Sequence, residues 1–284
     1  MTFKHIISDI ESLPPLSNTP FVIQQIYNCG SQNIDIIRLV KVIEDDAALT
    51  ANILKMINAP VYKFSRKIAS VAQAVTLFGT DEVYGLVLKY AIAEQLKADT
   101  EIFGVDNKKF NDICHLQSTL MMQWYSKVDV RHAQFMAPLA LIMETGKLVL
   151  SKEVMKSSYI KQFSNGYKKT KNVAEFEHSL LGTTTYYLTA TLFEYWKLEP
   201  LYVEILKGLD FETDPSPKVK SYIDSLDAVR VAINTKHILT PDSIEEACEI
   251  VDNMGLDREH FKKIALRIKE KYNQILVNRL IKKT

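Results

Sequence analysis

Cysteine and histidine set the first limits on what chemistry this chain can do. Its three cysteines, Cys29, Cys114 and Cys248, are far apart, odd in number and form no CxxC pair. That disfavours a disulfide framework and a structural zinc site, and it fits a reducing cytoplasm. The one close pairing of nucleophile and base is Cys114-His115, but helical neighbours point about 100° apart and cannot face one another. His5, His132, His178, His237 and His260 lack mutual ligand spacing and read as surface or cap residues. No G-x-S-x-G turn, Walker loop or G-x-G-x-x-G occurs, so no nucleophile elbow or nucleotide cradle is recognisable, and Gly79-Thr80-Asp81 reads as a helix-end turn.

Composition narrows the classes further. The chain has 284 residues, 47% of them hydrophobic, enough for a large core. Lys plus Arg number 35 against 34 Asp plus Glu, so the formal charge of +1 supplies no field for nucleic acid or an anionic membrane. The bases of the last segment, Lys262, Lys263, Arg267, Lys269, Lys271, Arg279, Lys282 and Lys283, are diluted by Glu259 and Glu270 and read as a solvated face. Met1 to Ser12 mixes charges with apolar residues, unlike a signal peptide, and the apolar run Met136 to Met143 is too short to span a bilayer and contains Pro138. A soluble cytoplasmic protein with no nucleic-acid or membrane partner is expected.

The elements that must position any site are helices. Pro20 suits a first turn carrying Val22, Ile23 and Ile26, with Gly30 as its stop. Ile36, Ile37, Val40 and Ile43 recur at helical spacing, and Asp46 can cap a helix bearing Leu49, Ile53, Leu54 and Ile57. Asn58 ends that helix, where its amide can fix the next turn. Ser70 and Gln73 have capping-box spacing for Val71 to Phe78. Thr80 can cap a further helix, with Asp81 and Glu82 suited to the positive end of its dipole. Helices then run from Asp106 to about Ser126, from Ala133 to Glu144, and from a cap at Asn172 as far as Trp196. Pro200, Pro217 and Pro241 open others, the latter two behind Ser216 and Thr240. A stripe of Phe261, Ile264, Ala265, Ile268, Tyr272, Ile275, Leu276 and Leu280 marks the last. The run Leu201 to Leu206 is short and helix-compatible, and no hairpin turn appears. Trp124, Trp196, Tyr186, Tyr187, Met121 and Met122 read as core. The polar stretch Ala98 to Lys109 divides the chain into residues 1–105 and 106–284.

Three segments resemble the N-terminal signature of HDOD domains, which are degenerate relatives of metal-dependent HD phosphohydrolases. They are Leu13-Pro14-Pro15-Leu16, the stretch Ile43 to Ala59, and Ile68 to Gly79. Ala47 stands where the family usually has Pro, and Ala59 where it has Ser. Phe135 to Leu150 resembles the buried helix that carries the paired His-Asp of HD enzymes, followed in them by Gly-Lys; here the pair is Met143-Glu144, then Thr145 and the matching Gly146-Lys147. Glu177 to Thr185 looks like the start of the next HD helix and Leu192 to Pro200 like its end. Thr185 stands where a metal-binding His is expected, and Gly208-Leu209 where relatives often carry two adjacent His. The resemblance spans residues 10–210.

It implies an all-α multi-helix bundle of the HD-domain, phosphodiesterase-like kind with an N-terminal helical subdomain. An HD phosphohydrolase needs imidazoles and carboxylates converging on divalent cations. Of the vestigial positions, Met143 offers a soft thioether, Thr185, Gly208 and Leu209 offer no comparable ligand, and only His115 and Glu144 remain, expected as a hydrogen-bonded core or rim pair. No catalytic, cofactor-binding or metal-binding residue is therefore expected. What the resemblance implies is a non-catalytic bacterial signalling module that meets unidentified proteins in trans or changes shape with a small-molecule ligand. The alternatives are an HD-type phosphohydrolase with substituted ligands and a sensor that uses the vestigial cleft.

Overall fold

The computed structural model describes residues 3–28, 34–62, 67–210 and 215–281. Cys29, the stop expected at Gly30, and Lys282 and Lys283 lie outside the described residues. In chain order the helices are α1 (Phe3–Glu11), α2 (Asn18–Asn28), α3 (Ile36–Glu44), α4 (Ala47–Ile57), α5 (Val71–Phe78), α6 (Thr80–Gln95), α7 (Asn107–Tyr125) and α8 (Val130–Ile142). They continue as α9 (Thr145–Lys156), α10 (Ile160–Lys169), α11 (Val173–Leu181), α12 (Thr185–Tyr195), α13 (Pro200–Gly208), α14 (Pro217–Ala232), α15 (Pro241–Asn253) and α16 (Arg258–Ile281). Among the described residues no strand forms; one antiparallel bridge, Ile233 to Ile238, closes a turn held by the Asn234 side chain.

Short polar side chains start these helices by accepting an orphan backbone amide. Asp35, Asp46, Asp106, Asp129, Asn172, Thr184, Ser216 and Thr240 all do so. Ser70 accepts from the Gln73 amide, while Gln73 reaches back to the amide of Ala69, one residue before the cap. Pro20 falls in the third position of α2 instead of the first, which the unbonded amides of an opening turn permit. Thr80 is not a cap: α6 begins at Thr80 itself, and Gly79, at φ 83°, both ends α5 and precedes α6. The helix expected from Asn172 to Trp196 is two, because Gly182 takes a left-handed conformation and Thr184 opens α12.

One cluster of buried residues runs from Ile6 to Tyr272. Helix α7 lies at its centre, packed against α8, α14 and α16. Helix α6 crosses α8 where Gly85 meets Pro138; an added Cβ would stand 2.9 Å from the Pro138 Cβ. The stretch Val130–Lys156 is long and apolar enough to cross a membrane by those measures, but 83% of its apolar window is buried in the core and Met143-Glu144 bends it. The N-terminal segment is tied to the far end of α12: Tyr195 Oη lies 2.9 Å from Glu11 O and 2.8 Å from Leu13 O, and Trp196 Nε1 donates to Pro14 O at 3.2 Å. His132 is not a surface residue. It stacks on Tyr125 at 3.8 Å, contacts Ser225 Oγ at 2.9 Å, and burial pushes its imidazole down to about 4.

Asn58 stitches the end of α4 to the segment before α5. Its amide donates to Leu54 O and Ile68 O, and its oxygen accepts from the Ile68 amide. Replacing it with Ala strands a backbone donor and acceptor of Ile68, so Asn58→Ala is expected to cost about 1–3 kcal/mol in urea unfolding. Asn58→Asp, which keeps only the acceptor, should fall between the two.

Candidate functional site

Helix α8 stops at Ile142 and α9 starts at Thr145, leaving Met143 and Glu144 at the elbow. The elbow presses so closely on α12 that a Cβ on Gly146 would sit 1.9 Å from Thr185 O. Only glycine fits there, and its amide donates to Thr189 Oγ1 at 2.8 Å. This close approach carries Glu144 into the core, where it is 0% exposed. Its Oε1 accepts from Gln117 Nε2 at 2.9 Å and from Tyr186 Oη at 3.0 Å, and its Oε2 faces Lys147 Nζ at 2.9 Å. Burial alone would raise the Glu144 carboxyl, but Lys147 together with the donors on Oε1 holds it below the usual range. Burial pulls the Lys147 ammonium down and Glu144 more than restores it, so both groups are charged.

Charge and hydrogen bonding spread outward from this pair. Lys147 Nζ also reaches Thr185 Oγ1 at 3.3 Å. Thr185 offers both its amide, at 2.6 Å, and its hydroxyl, at 2.8 Å, to the carboxyl of Glu177, which burial pushes up to about 7. Across the cleft the Arg230 guanidinium lies 4.9 Å from the centre of the Tyr186 ring. It bonds Asp227 at 2.5 Å, Asp210 at 3.0 Å and Leu209 O at 2.8 Å. A cleft of about 440 Å³ remains between these groups, lined also by Lys171, Asn234, Lys236 and Glu246.

The vestigial positions therefore divide. Met143, Glu144 and Thr185 come together, joined by the Thr189 hydroxyl, which lies 2.9 Å from both Met143 O and Thr185 O. Gly208 and Leu209 end α13 at the edge of the cleft, where Leu209 contributes a backbone carbonyl. His115 is elsewhere. It sits two residues from Gln117, about 200° around α7, and so faces away from Glu144. Its Nδ1 lies 2.8 Å from Tyr62 Oη, and burial keeps its imidazole well below the ordinary value. The His115–Glu144 pair expected from sequence is not made; Gln117, Tyr186 and Lys147 are the partners of Glu144. Near His115, Glu82 is not a solvated acid at a helix start but a buried one, with both oxygens about 3 Å from Ser118 Oγ: 3.0 and 3.1 Å. Burial pushes it up to about 7.

These donors do not fit the divalent cations that HD enzymes hold. The Glu144 carboxylate is occupied by two neutral donors and an ammonium, the Thr185 hydroxyl is committed to Glu177, and the only imidazole of the set is on the far face of α7. A metal ion would have to occupy space beside a protonated lysine.

The HDOD domain family matches residues 13–208. The chain belongs to the HDOD family. Among solved structures it is similar to a putative phosphohydrolase from Shewanella amazonensis SB2B, at 14% identity over 94% of each chain and a TM-score of 0.70. It is also similar to an HDOD domain protein of unknown function from Geobacter sulfurreducens, at 15% identity over 96% of this chain and 94% of that one, TM-score 0.63. A virulence factor from Campylobacter jejuni subsp. jejuni has 21% identity over 94% of this chain and 99% of that one, TM-score 0.57. At such identities the likeness is one of fold, and it bears out the all-α, HD-like bundle. No curated protein matches.

Sequence reasoning missed Gln117, Arg230 and Asp210. Gln117 and Arg230 carried a signal: each is a polar side chain inside a helix whose neighbours along the chain are mostly apolar or small.

Two outcomes follow from the buried charges. Lys147→Met leaves an ionised carboxyl without its counter-ion and should cost about 3–5 kcal/mol, of which the double variant Lys147→Met, Glu144→Gln recovers a part; urea unfolding of the set measures this. Glu82 titrates at about 7 folded and near 4.5 unfolded. The folded chain thus holds a proton that the unfolded chain gives up, so stability falls as pH rises from 4.5 through 7. Glu82→Gln should be more stable than wild type at pH 8, by up to about 3 kcal/mol, with the gain gone near pH 4.5.

Proposed function

We propose that this HDOD chain is a non-catalytic bacterial signalling module, working in the cytoplasm through contacts with other signalling proteins or through a change of shape on binding a ligand. The observation that supports this reading is the Glu144 carboxylate engaged by Gln117, Tyr186 and Lys147, with the one nearby imidazole, His115, bonded to Tyr62 instead. Hydrolysis by HD enzymes needs a metal-bound hydroxide as nucleophile and a metal clamp on the phosphate. A fixed side-chain cation neutralises the same carboxylate but has no open coordination position for water. The family membership and the HD-like fold support a regulatory origin for such a centre.

A sensor reading shares this basis and is favoured by one further feature. A cleft with polar and charged walls opens beside Lys147, Thr185 and Tyr186. A ligand there would bear on Tyr186 and Arg230, and through them on α12 and α14.

Purified protein is expected to carry no stoichiometric Mn, Fe or Zn, and to hydrolyse neither nucleotides nor cyclic dinucleotides when these metals are added. Turnover that rises with added metal and disappears in Glu144→Gln would replace this reading with that of an HD phosphohydrolase using substituted ligands.

A further inference from the structure

A second cleft, of about 390 Å³, opens on the opposite side of α7, bounded by α5, the start of α6 and the C-terminal helix α16. The larger share of its wall is apolar, from Leu77 and Phe78 of α5, Leu116 and Met122 of α7, and Ile268 and Ile275 of α16, while Thr119, Gln123, Gln134 and Lys271 add polar groups. The α16 wall is held firmly, because Arg279 bonds both oxygens of Asp112 on α7 and the Tyr272 hydroxyl donates to the same carboxylate at 3.2 Å. One buried acid, Glu82, lies in this cleft.

Glu82 is short of donors. Ser118 has a single proton to share between Oε1 at 3.0 Å and Oε2 at 3.1 Å. Tyr62 Oη is 3.5 Å from Oε1 and only 2.8 Å from His115 Nδ1, so its proton serves the imidazole whenever Nδ1 is the acceptor. Among the described residues no Lys, Arg or His nitrogen forms an ion pair with Glu82, and the one cation lining the cleft, Lys271, is at its exposed rim. A carboxylate has about four acceptor positions, and burying it without a counter-charge is costly. A cavity of this size, mostly apolar with a single deep ionisable group, has the form of a site for a small organic molecule with one matching polar end.

We propose that this cleft binds a small amphiphilic amine, its apolar body packed against Phe78, Leu116, Met122 and Ile268 and its ammonium paired with Glu82. The site is independent of the HD-like centre, which uses Gln117 on the other face of α7. Its occupant bridges the N-terminal helices to α16 and would draw the two together.

Titration calorimetry of the full chain with 4-phenylbutylamine, 4-phenylbutanol and 4-phenylbutyrate at pH 8 tests this, since the three share a body and differ only in the polar end. The amine is expected to bind at one site about tenfold or more tighter than the alcohol, with the carboxylate weakest. Glu82→Gln should reduce the amine to the level of the alcohol. Leu77→Trp, at a rim position that is 59% exposed, should weaken amine and alcohol alike. Glu246→Gln, an exposed residue of the other cleft, should change nothing. Absence of amine binding up to millimolar concentration, no preference over the alcohol, an amine preference that survives in folded Glu82→Gln, or loss of binding in Glu246→Gln would each overturn the proposal. Should Glu82→Gln fail to fold, the comparison of polar ends on the native chain together with Leu77→Trp decides it.

Discussion

The ion pair between Glu144 and Lys147 is the constraint around which the HD-like half is arranged. Two full charges in a core cost less when further hydrogen bonds engage their remaining lone pairs and protons. Glu144 draws Gln117 from α7 and Tyr186 from α12, and Lys147 draws Thr185; Thr185 in turn satisfies Glu177, and Tyr186 lies beneath Arg230. Four helices are thereby fixed to one elbow. The elbow can approach α12 only because residue 146 lacks a side chain. At this elbow the positive charge beside Glu144 is the lysine three residues further along the chain.

Helix α7 separates two different kinds of interior. One face carries Gln117 into the network around the Glu144–Lys147 ion pair; the other carries His115 and Ser118 to a region where Glu82 has only hydroxyl partners. The electrostatic outcomes diverge accordingly. Glu144 stays ionised because a cation is beside it, whereas burial without one raises Glu82 to about 7. The two carboxyls are equally hidden from water and differ because of what faces them.

Much of the architecture was legible because helix starts depend on local chemistry. Asp46, Ser70, Asn172, Ser216 and Thr240 act as caps through their own side chains, and the Phe261 to Ile275 stripe is buried as its spacing demands. The reading failed where a local rule competed with a distant contact. Glu82 does stand in the first turn of α6 as expected, but the inward turn of its side chain to Ser118, 36 residues away, has no sign in the local sequence. Gly182 and Thr184 spelled a stop and a start that the apolar pattern around them concealed. Of the basic residues of α16, expected as a solvated face, Lys263, Arg267 and Lys271 are exposed as expected, whereas Arg279 is spent on the buried Asp112. Leu276 and Leu280, expected in the stripe, are exposed beyond the end of the core. The positions at which the resemblance expects ligands could be read from the sequence, but the partners of Glu144 could not, because Gln117, Tyr186 and Lys147 converge only in three dimensions.

The tie between the N-terminal segment and α12 bears on how the molecule assembles itself. Tyr195 holds the carbonyls of Glu11 and Leu13, and Lys156 holds Asp9, so the first helix docks on chain made some 150 to 180 residues later. Loops of that span close late, after nearer contacts have formed. During synthesis α1 emerges long before the chain it docks on and is thus among the last elements described to be seated. Until then Ile6 and Ile10, both buried in the finished fold, remain in contact with solvent or with a chaperone.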